Sequence, residues 1–290
     1  HAAHSLRISY DICRVKPILY SSEHPSNYQL SFRPGLTWPR RTNDFGVRTL
    51  PKGCIFADKG PVIIVDDDDS SMLLTLLAIL NSAPFLTLVR VQLDRTELAR
   101  SYNVGLIQRT PIPHCEHETQ DRLSSLAQEA YGLQLDSDYS DETTHAFCLP
   151  GLVQQQGNGS LLQASLALEA EAQAAQARLV AIQAEIDDLV FDLYGLSDAD
   201  RAMVRAEMGG SHGGAEDTEA SLEDLGDLGA SVAREPDEDK EPAPPEDLPV
   251  RVQNLLMWCV GIAFGRWDVR MALDPTLLPS LQGPFDPLPR

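Results

Sequence analysis

Leu161, Ser165, Leu168, Ala172, Ala175, Leu179, Ile182, Ile186, Leu189 and Leu193 recur alternately four and three residues apart without a break. That spacing requires one continuous helix over 33 residues, roughly 50 Å long. The first half of the seam is made of small residues and the second of branched ones. Alanines let a second helix approach closely, while Ile182, Ile186, Leu189 and Leu193 bring the volume that a packed seam needs. Gly195 is placed to stop this helix and Ser197 to cap another. The expectation is a long, coiled-coil-like helical stem over residues 161–208.

Charge divides the chain in front of that stem. Residues 1–113 carry 13 Lys/Arg and 10 Asp/Glu, a net of +3. Residues 114–290 carry 10 and 33, a net of −23, which together give the chain's −20. A neutral-to-basic front and an acidic rear argue for two jobs in one chain. Residues 209–249 hold 13 Asp/Glu against Arg234 and Lys240, with Gly-Gly pairs and a Pro-rich run. Such a segment cannot bury enough apolar surface to offset chain entropy and reads as a disordered linker. Cys13, Cys54, Cys115, Cys148 and Cys259 are odd in number, far apart and without CxxC spacing, which suits a reducing cytoplasm. No signal peptide is visible. The apolar window 72–93 is broken by Asn81, Ser82, Pro84 and Arg90, so it reads as two packed helices in a soluble protein. The chain starts without methionine and ends in a Pro-rich run, so both ends read as cuts.

The front half alternates short elements. Ile8, Tyr10 and Ile12 have strand periodicity, and residues 21–27 form a polar loop. Residues 48–50 and 54–56 read as strands around the turn Pro51-Lys52-Gly53; residues 58–61 read as another turn before an apolar strand at 62–65. The acids at 66–69 read as a helix cap, since adjacent carboxylates cannot all converge on one ion. Residues 72–80 form a buried helix, then Ser82 caps another with Pro84 in its first turn. Residues 102–113 read as extended, ended by Pro111 and Pro113. Residues 114–160 are a connector, helical around 121–133. Residues 252–275 form an amphipathic helix ended at Gly265, then an aromatic-basic turn around Arg266, Trp267 and Arg270.

Between residues 32 and 61, Arg33, Arg40, Arg41, Arg48, Lys52 and Lys59 are interleaved with Trp38, Phe45 and Phe56, and Asp44 and Asp58 are the only carboxylates. Cations among aromatics and glycines suit a surface that meets a polyanion. The wording GLTWPRRT, LPKGCIFADKGP, LLAILNS and YNVGLIQRTPIP resembles the target-recognition region of large adenine-specific DNA methyltransferases. These are the type IIG restriction-modification enzymes and the PglX-like methylases of BREX- or DISARM-type phage-defence systems. IDDLVFDLYGLSDADR resembles the signature I-D-x-L-V-x-x-L-Y-G-L-[ST] that follows the recognition domain in that group, and VGIAFGRWDVRMALDP with PFDPLP resembles a later stretch.

The resemblance covers roughly four-fifths of the chain and none of the catalytic part. Amino-methyltransferases need a glycine-rich loop for S-adenosylmethionine and a [DNS]-P-P-[YFW] motif whose aromatic stacks on the flipped base. Here the only Pro-Pro is Pro244-Pro245, followed by Glu246, and no strand–GxGxxG–helix unit exists. No catalytic residue, metal or cofactor is therefore assigned to this chain; S-adenosylmethionine would belong to the parent enzyme. The resemblance implies a partial recognition domain at 1–113, the connector at 114–160, the stem at 161–208, the acidic linker at 209–249 and a C-terminal helix at 250–290. The fold class is mixed α/β.

Base reading favours Arg, Lys, Asn and Gln, while phosphate contacts position the protein. Arg40 and Arg41 beside Trp38, with Thr42 and Asn43, form the densest donor cluster; Arg48, Lys52 and Lys59 read as phosphate neighbours. The expected partners are double-stranded DNA, an upstream methyltransferase domain and other defence proteins, with no membrane. Two rivals carry less. His114, Cys115, His117, His145 and Cys148 offer zinc-type ligands without a turn to converge them, and no GxSxG elbow is present. The alternative function is a coiled-coil module that docks a protein of a defence complex. Limited trypsin digestion is expected to cut first near Arg234 or Lys240; protection of residues 209–249 in the free protein would contradict the linker.

Overall fold

The computed structural model describes residues 18–20, 30–42, 44–57, 59–93, 101–155, 159–210, 248–279 and 282–288. The strand read at Ile8, Tyr10 and Ile12, the loop at 21–27 and most of the acidic stretch lie outside them. The fold is mixed, with helix dominant. Strands β1 (Ile18–Tyr20), β2 (Gly35–Thr37), β3 (Arg48–Leu50) and β4 (Val62–Ile64) form an antiparallel sheet in the order β1-β4-β2-β3. Thr37 is the register pivot: it opposes Arg48 on one side and Val62 on the other. Only glycine fits at position 35, because a Cβ there would stand 2.5 Å from the Ile63 carbonyl oxygen.

The helices begin where the caps put them. Asp69 accepts from the Ser71 and Met72 amides and starts α1 (Ser70–Leu80). Asp66–Asp68 form a single 3-10 turn instead, and Asp68 turns back to Arg33. α2 (Ala83–Val91) follows at a 63° bend, with Ser82 at its N-cap and Pro84 in its first turn. Ser82 donates its hydroxyl to the Ile79 carbonyl, so the amide of Ala83 is satisfied from far away, by Asp187 at 2.8 Å. Asn81 grips the chain before β3 from both sides, accepting from the Val47 amide and donating to its carbonyl.

Two expectations fail locally. Residues 102–113 are not extended: Asn103 caps the short helix α3 (Val104–Arg109), and the prolines follow it as its stop. Residues 54–56 form no strand; the chain there is irregular until Ala57 pairs with Gly60. Pattern alone could not see that β2 already has both of its edges filled.

α4 (His117–Asp138) outruns the helix expected around 121–133, α5 (Gly151–Gln154) is one turn, and α6 (Leu161–Tyr194) spans the length of the seam. α6 ends at Gly195, whose φ of +64° closes the helix, and Ser197 caps α7 (Asp198–Gly210) through Asp200. A free-standing coiled-coil stem is not what this helix makes. Ile182, Ile186, Val190, Phe191 and Tyr194 are buried, and all but Phe191 belong to the same core as Leu36, Trp38, Leu73, Phe85, Ile107 and Leu123. The second half of the seam is thus core, packed against α1, α2 and α4, while residues 170–174 face solvent. A heptad pattern reports a buried stripe, and the stripe's partners here are several short elements rather than one parallel helix.

α8 (Leu248–Ala263) and α9 (Arg270–Leu273) pack separately around Leu149, Trp258 and Ala272, and Gly265 at φ +75° ends the first of them. Arg266 stacks over Trp267 and pairs with Glu142 at 2.8 Å. Phe285 returns to the main core and its carbonyl accepts the Lys52 amide. Among the described residues, no single helix is long and apolar enough to cross a membrane; α1 and α2 pass that test only as a bent pair.

Tyr194 closes the core by donating to the Pro111 carbonyl at 2.7 Å, and burial pushes its phenol pKa up. Burial also holds the Asp187 carboxyl above its ordinary 3.8, outweighing the Ala83 amide and Gln183, which pull it down. The folded chain therefore binds that proton more tightly than the unfolded chain. The corresponding stability is present below the ordinary carboxylate value and is lost as pH rises through the folded one. Tyr194→Phe is expected to cost about 1–3 kcal/mol in urea unfolding, because the Pro111 carbonyl loses its partner. Asp187→Asn keeps an acceptor for Ala83 and is expected to flatten the stability profile just above pH 3.8.

Candidate nucleic-acid interface

The sheet register sorts the seven residues expected at DNA. β2 leaves the sheet at Thr37, and that is also where β3 begins, with Arg48 opposite Thr37, and where β4 begins, at Val62. Beyond Thr37, the Arg40 amide donates to the Lys59 carbonyl at 3.0 Å, and the Arg40 carbonyl accepts from Tyr102 at 2.8 Å. Arg41 bridges to Ser101, with Thr42 beside it. Arg40, Arg41, Thr42, Arg48 and Lys59 therefore gather at one end of the sheet from three separate segments. Lys52 does not join them; it sits in the turn at the opposite end. Arg41, Arg48, Lys52 and Lys59 are exposed, while Arg40 and Thr42 are half-buried. Asn43 lies outside the described residues.

Trp38 is a correction. It is 1% exposed, and its indole N–H donates to the Tyr102 carbonyl at 2.8 Å, so it offers no face to a ligand. It packs with Phe45 at 6.1 Å between ring centroids, and Phe45 in turn meets Tyr102 at 5.1 Å and Phe85 at 6.4 Å. The interleaved cation–aromatic pattern resolves into a layered arrangement: aromatics form the floor and cations the rim. A tryptophan that needs one acceptor and has two χ angles fixes the backbone on which Arg40 and Arg41 stand.

Nearby acids are placed on particular arginines. Arg33 donates to Asp68 at 2.7 Å and to the Val65 carbonyl at 2.7 Å, and Arg90 pairs with Asp44 at 3.1 Å. Among the described residues, no ion pair involves Arg41, Arg48 or Lys52. Sequence reasoning passes over Phe32 and Ile55, both exposed on the turn side of the sheet. The run Cys54-Ile55-Phe56 signals apolar residues there but not which of them faces out.

The zinc-type residues do not converge: among the described residues, no group of three or more His, Cys, Asp or Glu could hold a metal. His117 sits 3.6 Å from Asp121 at the exposed start of α4, Cys115 packs on the main core, and the Cys148 thiol donates to the Ala146 carbonyl. Elsewhere, a cleft of about 770 Å³ opens between α4, α5, α6 and α8. Leu168, Ala172 and Ala175 of the seam's first half line it.

No protein-family model matches the chain, and no curated protein matches it either.

Trp38→Phe removes the donor to the buried Tyr102 carbonyl and is expected to destabilise the fold by about 1–3 kcal/mol. Any loss of ligand affinity should then track unfolding and vanish once the folded fraction is corrected for, as measured by circular dichroism and titration on the same samples.

Proposed function

We propose that this chain reads duplex DNA on behalf of an adenine-N6 methyltransferase of a restriction-modification or phage-defence system. One observation carries the reading: Arg40, Arg41, Arg48 and Lys59 come from three segments to one end of a sheet braced by buried aromatics. Exposed cations on a rigid frame suit phosphate positioning, and the planar donor forks of Arg40 and Arg41 suit base edges. The resemblance of residues 35–113 and 186–201 to the recognition region of such enzymes supports the same conclusion. Those two stretches also meet in the fold, where Tyr194 holds Pro111 and Asp187 holds Ala83. S-adenosylmethionine and the methyl-transfer chemistry belong, in this reading, to an upstream domain of the parent enzyme.

A second reading, a protein-docking module, is favoured by one observation of its own. The first half of the heptad seam lines the open cleft, and α8 exposes Leu256, Met257 and Val260, with Phe264 just beyond it.

Filter binding to duplex DNA at two salt concentrations separates the two. In Arg41→Ala/Arg48→Ala, each lost phosphate contact is expected to flatten the slope of log affinity against log salt by about 0.9. Stability should move by less than about 0.5 kcal/mol, because both side chains are exposed. A wild-type chain without duplex affinity at low salt removes the DNA reading and leaves the docking module.

A further inference from the structure

We propose that Phe32 and Ile55 form a rigid apolar wedge that enters the base stack of the bound duplex; this rests on the DNA reading above. Phe32 is 59% exposed and Ile55 72% exposed, beside a unit whose other large apolar residues, Leu36, Trp38 and Ile63, are buried. Phe32 also has φ +70°, in the left-handed region that bulky side chains rarely adopt. Two unfavourable features thus coincide in one residue: a strained backbone and an aromatic ring in water. Strain of this kind persists only where the surroundings over-determine it, and it gathers at sites of function.

The surroundings do over-determine it. The Phe32 amide donates to the Cys54 carbonyl at 2.9 Å, and the Gly53 amide donates back to the Phe32 carbonyl at 3.0 Å. Gly53, at φ +92°, makes the turn that brings Ile55 alongside. The neighbouring Arg33 is pinned by Asp68 and the Val65 carbonyl, and the Lys52 amide is held by the Phe285 carbonyl. A side chain that must separate stacked bases needs such a fixed base, since a mobile one would fold aside. Proteins that kink DNA insert Phe, Ile or Leu in this way.

Position ties the wedge to the cationic end. The segment after Ile55 reaches Lys59 in four residues, at most roughly 14 Å of chain. That spans about four base steps at 3.4 Å each. Lys52 on one side and Lys59, Arg40, Arg41 and Arg48 on the other would hold phosphates flanking the opened step.

The test uses the full 290-residue chain. Relaxed plasmid is incubated with protein, treated with topoisomerase and stripped, and the residual linking change is read on a gel, alongside permanganate reactivity of thymines. Filter binding to the same DNA runs in parallel. The wild type is expected to unwind the plasmid and expose thymines. Phe32→Asn, which tolerates positive φ, and Ile55→Ser are expected to abolish both signals and weaken binding about five- to hundredfold per lost stack. Their salt slopes should stay those of the wild type, and Phe32→Asn should melt no earlier. Arg41→Ala/Arg48→Ala should do the reverse, with a flatter slope and unwinding retained at saturation. Binding without unwinding, or unwinding unchanged in both wedge variants, overturns the wedge and spares the DNA reading. No binding at all overturns both.

Discussion

Asp187 accepts the Ala83 amide across 104 residues of chain, and Tyr194, two turns further along α6, donates to the Pro111 carbonyl. These two hydrogen bonds join the end of one long helix to the start of α2 and to the stop of α3. Each satisfies a backbone group that the local chain leaves open: Ser82 has turned its own hydroxyl away, and Pro111 follows a finished helix. Gln183 adds a weaker bond to the Asn81 carbonyl, and Asn81 is the residue that holds Val47 beside the sheet. The sheet, the bent helix pair and α6 are therefore one cooperative assembly. Removing one partner strands a buried polar group rather than merely deleting a contact.

Charge in this chain is a local matter. The net of −20 describes the rear, while the front sets its acids against chosen partners: Asp68 against Arg33, Asp44 against Arg90, Asp69 against the first amides of α1. Farther on, Arg178 forms a bidentate pair with Glu129 and holds that carboxyl below its ordinary range. Arg201 and Arg205 lie over the Phe191 ring while reaching Asp192 and Asp188 on α6. Most such pairs are exposed and contribute little individually, so their value here is orientation.

Features written in local chemistry are legible in the sequence. Asp69 as a cap, Pro84 in a first turn, Gly195 as a stop and Ser197 as a cap are each decided within four residues, and each stands where local chemistry puts it. The 33-residue period likewise announces a helix of the right length. Features decided by distant partners are not legible. Nothing near Trp38 says that its indole nitrogen has an acceptor at Tyr102, so sequence alone groups the ring with the cations above it. Asn103 and the prolines around residue 110 allow either an extended run or a short helix, and packing of Leu106 and Ile107 into the core selects the helix. The stem misleads for the same reason, since periodicity names a buried stripe without naming what buries it.

The long reach of the Asp187 contact also sets an order of events during synthesis. The sheet, α1 and α2 emerge about a hundred residues before the carboxylate that completes them. At about 5–20 residues per second, the nascent front half waits on the order of 10 s with the first amide of α2 unmet and the floor beneath Arg40 unsealed. Only when the chain has passed Tyr194 can that half lock. A ribosome pausing anywhere between α2 and the end of α6 would therefore hold an exposed Leu- and Ile-rich surface, which makes this interval the one in which chaperone capture matters most.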